Sequence, residues 1–114
     1  MRGRLARVAF ADQKVLDAFN ALEKGRFEDR ELAGWIRRAM GVLEEKPFAG
    51  ASVPKRLWPR EYARFSINNL RKLNMPRGWR LVYFIKGNEL EIVSVLLEWA
   101  DHKSYEKRFG YRSH

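Results

Sequence analysis

The chain contains no cysteine. That excludes disulfides and thiolate metal sites, and it fits a reducing compartment such as the cytoplasm. Histidine is nearly as scarce: His102 and His114 are the only two. They make no convincing metal motif, so no metal and no other cofactor is expected. No apolar run approaches the ~20 residues of a membrane-spanning helix, so no membrane partner is expected. The start, Met1 to Arg7, is basic, but only short apolar pieces follow it, which is not the pattern of a secretory signal. Acids are also short, with 14 Asp and Glu against 23 Lys and Arg, which leaves a net charge of +9 on 114 residues. That length suits one domain, 1–114, with a single modest core.

The distribution of the charge matters more than its size. Between Lys55 and Arg80, eight cations (Lys55, Arg56, Arg60, Arg64, Arg71, Lys72, Arg77 and Arg80) face one acid, Glu61, so this window alone carries +7. A local patch of this kind attracts polyanions and makes their binding salt-dependent.

Periodicity gives the elements. Leu5 to Phe10 alternates as a short strand. Asp12 can cap a helix whose buried stripe is Val15, Leu16, Phe19 and Leu22, and Gly25 stops it. A second helix begins near Glu28 or Asp29 and buries Leu32, Trp35, Ile36, Ala39 and Leu43. It ends at Lys46-Pro47, because the residue before proline disfavours the α region. The short turn between the two helices makes them an antiparallel hairpin. From Phe48 to Arg64, Gly50, Pro54 and Pro59 break any long element, and Leu57, Trp58, Tyr62 and Phe65 read as anchors to the core.

Three strand signals follow: Leu70 to Met75, Trp79 to Ile85, and the almost wholly apolar Leu90 to Trp99. Gly87-Asn88 suits a two-residue turn between the last two. Lys103 to Phe109 can form a helical turn with Tyr105 and Phe109 on one face. The reading is therefore an α+β domain of two layers. An N-terminal strand and a helical hairpin pack with a three-stranded antiparallel meander.

The stretch Gly78-Trp-Arg-Leu-Val-Tyr83 resembles the Gly-Tyr-Arg-Leu-Val-Tyr strand of the RelE/ParE toxin superfamily, and the order of elements is similar to that family's. The resemblance implies a toxin of a type II toxin–antitoxin pair, with mRNA as substrate (free or on the ribosome) and a cognate antitoxin as protein partner. It places Arg80 where the RNA-cleaving members contact the scissile phosphate. Lys72 falls where they carry a strand lysine, and His102 and Lys103 where they carry basic residues. Tyr105 takes the place of a near-terminal tyrosine able to stack on a base. Asn74 stands where some relatives have a second strand cation. The superfamily also contains gyrase inhibitors of the ParE type, so the alternative is a non-catalytic binding protein of the same fold, or an inert nucleic-acid-binding relative.

A ribonuclease without metal needs help deprotonating a ribose 2′-OH, a proton for the 5′-oxygen, and fixed cations around the phosphorus. The guanidinium of Arg80 can grip two phosphate oxygens. His102 is an acid–base group near neutrality, and Asp101 beside it favours the protonated form and hence a general acid. Lys72 is a charge, or a base if neighbouring arginines lower its pKa. Tyr105 offers a face and a hydroxyl. Around these four catalytic candidates, Arg56, Arg60, Arg64, Arg71, Asn74, Arg77 and Lys103 are the candidate RNA-binding residues. A slip of one position in the short strand would exchange Lys72 for Arg71.

Overall fold

A computed structural model describes residues 5–110; His114 lies outside the described residues. The Asp12 carboxylate accepts from the Val15 amide at 3.0 Å and so satisfies a free N–H group at the start of a helix. This fixes the entry from strand β1 (Leu5–Phe10) to helix α1 (Gln13–Glu23). Helix α2 (Phe27–Glu45) returns after a short turn, starting one residue before the expected range. Phe19, Leu32, Ala33, Ile36, Ala39 and Leu43 from the two helices form one apolar cluster with Leu81, Tyr83 and Leu96 of the sheet.

The sheet has five strands in the order β1-β5-β4-β3-β2, with β2 at Ala51–Ser52, β3 at Arg71–Asn74, β4 at Arg80–Gly87 and β5 at Glu91–Ala100. From β2 to β5 the pairing is antiparallel throughout, whereas β1 joins β5 in parallel. The expected three-stranded meander is thus four strands long. Its extra strand, only two residues, is too short to leave a pattern in the sequence.

The two-layer reading also needs correction. The face of the sheet away from the hairpin is covered by two short 3-10 turns, Lys55–Leu57 and Arg60–Phe65, and by helix α3 (His102–Phe109). Tyr62, Tyr105 and Phe109 from these segments, with Val53 just before them, bury against Val82, Phe84, Val93, Val95 and Leu97. Burial on both faces is why the last strand reads as an unbroken apolar run. The Lys103 to Phe109 turn is a full helix of eight residues. It is capped by Asp101, which accepts from the Ser104 amide at 2.8 Å.

The turn between β4 and β5 is displaced from the expected place. The Asn88 amide donates to the Glu91 carbonyl at 2.9 Å, which leaves Glu89 and Leu90 at the tip. The Asn88 side chain accepts from the Leu90 and Glu91 amides at 2.8 and 3.0 Å. Gly87 is needed for close approach, since a Cβ there would lie 2.6 Å from the Glu91 carbonyl oxygen.

Candidate active site

Strand alternation decides which side chains meet. Lys72 and Asn74 pair in register with Val82 and Arg80, and Arg80 pairs with Ala100. Val82 and Ala100 belong to the cluster under α3, so Lys72, Asn74 and Arg80 share that face. Arg71 pairs with Tyr83, whose ring lies in the helical-hairpin cluster. It donates to the Phe48 and Gly50 carbonyls at 3.2 and 2.6 Å. Arg71 therefore fastens the segment after α2, and the register puts Lys72 beside Arg80.

A bulge tunes the same face. Val82 pairs with Glu98 but Tyr83 pairs with Leu96, so Leu97 is an extra residue in β5. Leu97 and Glu98 consequently turn to one side. Glu98 meets Arg108 of α3 at 2.8 Å and accepts from the Tyr62 hydroxyl. Arg108 also pairs with Glu61 at 2.9 Å. Burial opposes the Arg108 charge, but its bonds to Glu98 and Glu61 outweigh it and hold the pKa above the ordinary arginine value. Burial, and then the Glu98 carboxylate, push the Tyr62 pKa up. This junction clamps one flank of α3 to the sheet.

The other flank of α3 meets the cations. Arg80 Nη1 donates to the Gly78 carbonyl at 2.7 Å, which fixes the guanidinium, and Nη2 lies 3.5 Å from His102 Nδ1. His102 Nε2 is 3.2 Å from the Glu106 carboxylate, one turn along the helix. Lys72 Nζ and Arg80 Cζ stand over the Tyr105 ring, 5.2 and 5.5 Å from its centroid. Burial, and then the charge of Arg80, hold the Lys72 pKa below the ordinary lysine value. Lys72, Arg80 and His102 thus converge on one side of α3.

Tyr105 has a different place from the one expected. Only 1% of it is exposed, and its ring stacks on Phe109 with centroids 4.5 Å apart. It presents no face for a base; it supports the two cations from below. Asp101 acts on His102 only through its charge, since its carboxylate is taken up in capping α3. Its pKa is lowered first by the hydrogen bond from the Ser104 amide. The acid that meets His102 is Glu106, four residues on. The i,i+4 spacing on a helical turn was the available signal for it.

The turn between β3 and β4 borders this cluster. Arg77 and Gly78 adopt φ of 59° and 79°, a region costly for a bulky residue such as Arg77. A Cβ on Gly78 would stand 3.0 Å from the Cβ of His102, so the turn lies directly against the start of α3. It carries Arg77 exposed beside the site, with Lys103 exposed on the helix and Asn74 exposed on β3.

The remaining basic candidates are spread more widely. Arg56 and Arg60 are exposed on the 3-10 turns, with no salt bridge or side-chain hydrogen bond among the described residues. Arg64 pairs with Asp12 at 2.8 Å and covers the Phe65 ring at 4.2 Å, so it is spent on the fold. No group of three or more histidines or acids able to hold a metal ion occurs among the described residues. In comparisons with known proteins, no family model matches the sequence. No curated protein and no solved structure is similar enough to establish a relationship.

Proposed function

We propose that this chain is a toxin-like endoribonuclease. It cleaves mRNA, free or on the ribosome, with side-chain catalysis alone, and a cognate antitoxin protein holds it in check. The observation that carries the reading is the convergence of Lys72, Arg80 and His102 on one face beside α3. A fixed guanidinium stabilises charge gathering on phosphorus. An imidazole and an amine of lowered pKa supply acid–base groups within the same few ångströms. The net charge of +9 favours a polyanionic substrate, and an acidic antitoxin segment in the same groove.

The test is cleavage of RNA in EDTA, with and without ribosomes. Arg80→Ala is expected to lower the rate roughly 100-fold or more while the fold survives, because one preorganised cation is lost. Undiminished cleavage by a folded Arg80→Ala protein would remove Arg80 from the site. A second reading is favoured by the burial of Tyr105, which withdraws the base-stacking group. In that reading the basic face binds without cutting, as a gyrase inhibitor or a plain nucleic-acid-binding protein. It requires intact RNA in the same assay, with inhibited supercoiling by gyrase separating the first of these from the second.

A further inference from the structure

We infer that Glu106 is a positioning residue that makes His102 a general base, accepting the proton of the attacking ribose 2′-hydroxyl. The inference rests on the ribonuclease reading and deepens it. The argument is one of donors and acceptors. Arginine has N–H groups and no acceptor, whereas an ionised carboxylate only accepts. His102 has Arg80 Nη2 at 3.5 Å from Nδ1 and the Glu106 carboxylate at 3.2 Å from Nε2. Both neighbours therefore select the same neutral tautomer, with the proton on Nε2 and an unprotonated Nδ1 whose lone pair accepts from Arg80. That lone pair faces the guanidinium expected to hold the phosphate.

The charged groups around the imidazole are Glu106 and Lys103 on α3, Asp101 at its cap, Arg80 on β4 and, beyond Arg80, Lys72 on β3. Asp101 is engaged by the Ser104 amide. Glu106 is thus the carboxylate in direct contact with the imidazole, whereas Asp101 acts on it through space. A carboxylate on one imidazole nitrogen, with the other turned to the reacting proton, is the arrangement that orients the base in hydrolytic triads.

The step then balances. The 2′-hydroxyl proton passes to Nδ1 as the O2′–P bond forms and the P–O5′ bond breaks. The 5′-oxygen takes a proton from the Lys72 ammonium, whose lowered pKa makes it a better donor. A 2′,3′-cyclic phosphate and a 5′-hydroxyl leave, and solvent returns the two protons to their starting places.

The experiment joins a pH–rate profile to nitrogen NMR of His102 in the full chain. The rate of RNA cleavage should rise with pH to a plateau, the reverse of a general acid. His102→Gln should remove that rising limb. Glu106→Gln should lower the plateau roughly tenfold or more. In the spectra, wild type should show a protonated Nε2 and a bare Nδ1, and Glu106→Gln should mix the tautomers. A wild-type rate that falls through the same range, or an Nδ1–H tautomer, would overturn the inference while leaving the ribonuclease reading standing. A plateau and tautomer unchanged in Glu106→Gln would do the same. No cleavage at any pH overturns the ribonuclease reading itself, and the general base with it. The tautomer would then still decide whether Glu106 orients the ring.

Discussion

Tyr105 illustrates how far a side chain's role depends on burial. Its ring stacks on Phe109 under two cations, so Tyr105→Ala should cost about 3–5 kcal/mol, the usual penalty for emptying a buried aromatic site. Denaturant melts would measure this, and Tyr105→Phe should keep most of both stability and activity. A loss of RNA affinity in Tyr105→Ala without loss of stability would argue instead for base stacking. Lys72 behaves in the opposite sense. Its folded pKa is depressed by burial and by Arg80. The unfolded chain therefore binds the proton more tightly, and stability rises as pH climbs between the folded and unfolded values. Below the folded value the charged amine carries its full desolvation penalty. Lys72→Met is expected to be more stable than wild type at neutral pH, while cleavage drops roughly 100-fold. Paired thermal melts and rates check both halves.

At the scale of elements, α3 is the piece on which the site depends, held by a cap at one end and by Arg108 along one flank. Asp101→Ala should cost about 1 kcal/mol of stability through the lost cap, and it should slow cleavage because His102 sits in the first turn. The Asp101 pKa is lowered in the fold. Its contribution is thus present above the ordinary aspartate range and fades as pH falls through the depressed value. Melts of wild type and Asp101→Ala should converge in acid.

Much of this was legible beforehand. Asp12, the stripe from Leu32 to Leu43 and the break at Pro47 announce the helical hairpin. The density of aromatic and β-branched residues after Arg80 announces β4. The bulge at Leu97 was hidden because an apolar run has no period to break. The positions of Lys72 and Arg80 on adjacent strands follow from the strand pattern, but the burial of Tyr105 and the reach of Glu106 depend on how α3 lies against the sheet. That packing is set by the Glu98–Arg108–Tyr62 junction, whose partners are distant in sequence.

For the molecule as a whole, the basic candidates divide into those held by the fold and those open to a ligand. Arg64, though exposed, and Arg71 are engaged by Asp12 and by backbone carbonyls, whereas the exposed Arg56, Arg77 and Lys103 have no such salt bridge among the described residues. RNA affinity should fall with salt at a log–log slope of about −0.7 per phosphate neutralised. Replacing Arg56, Arg77 and Lys103 by Gln should flatten the slope. Replacing Arg64 should lower stability and leave the slope unchanged. Titrations at several salt concentrations would distinguish them. The parallel pairing of β1 with β5 has a further consequence, in time. Arg7 meets Glu91 across 84 positions of chain, so β1 must wait for its partner to be synthesised. At about 5–20 residues per second that wait is on the order of 4–17 s. The residues of the cluster also come from β3 onward. A nascent chain therefore carries its helical hairpin long before it carries a completed sheet, and those seconds pass before Lys72, Arg80 and His102 can meet.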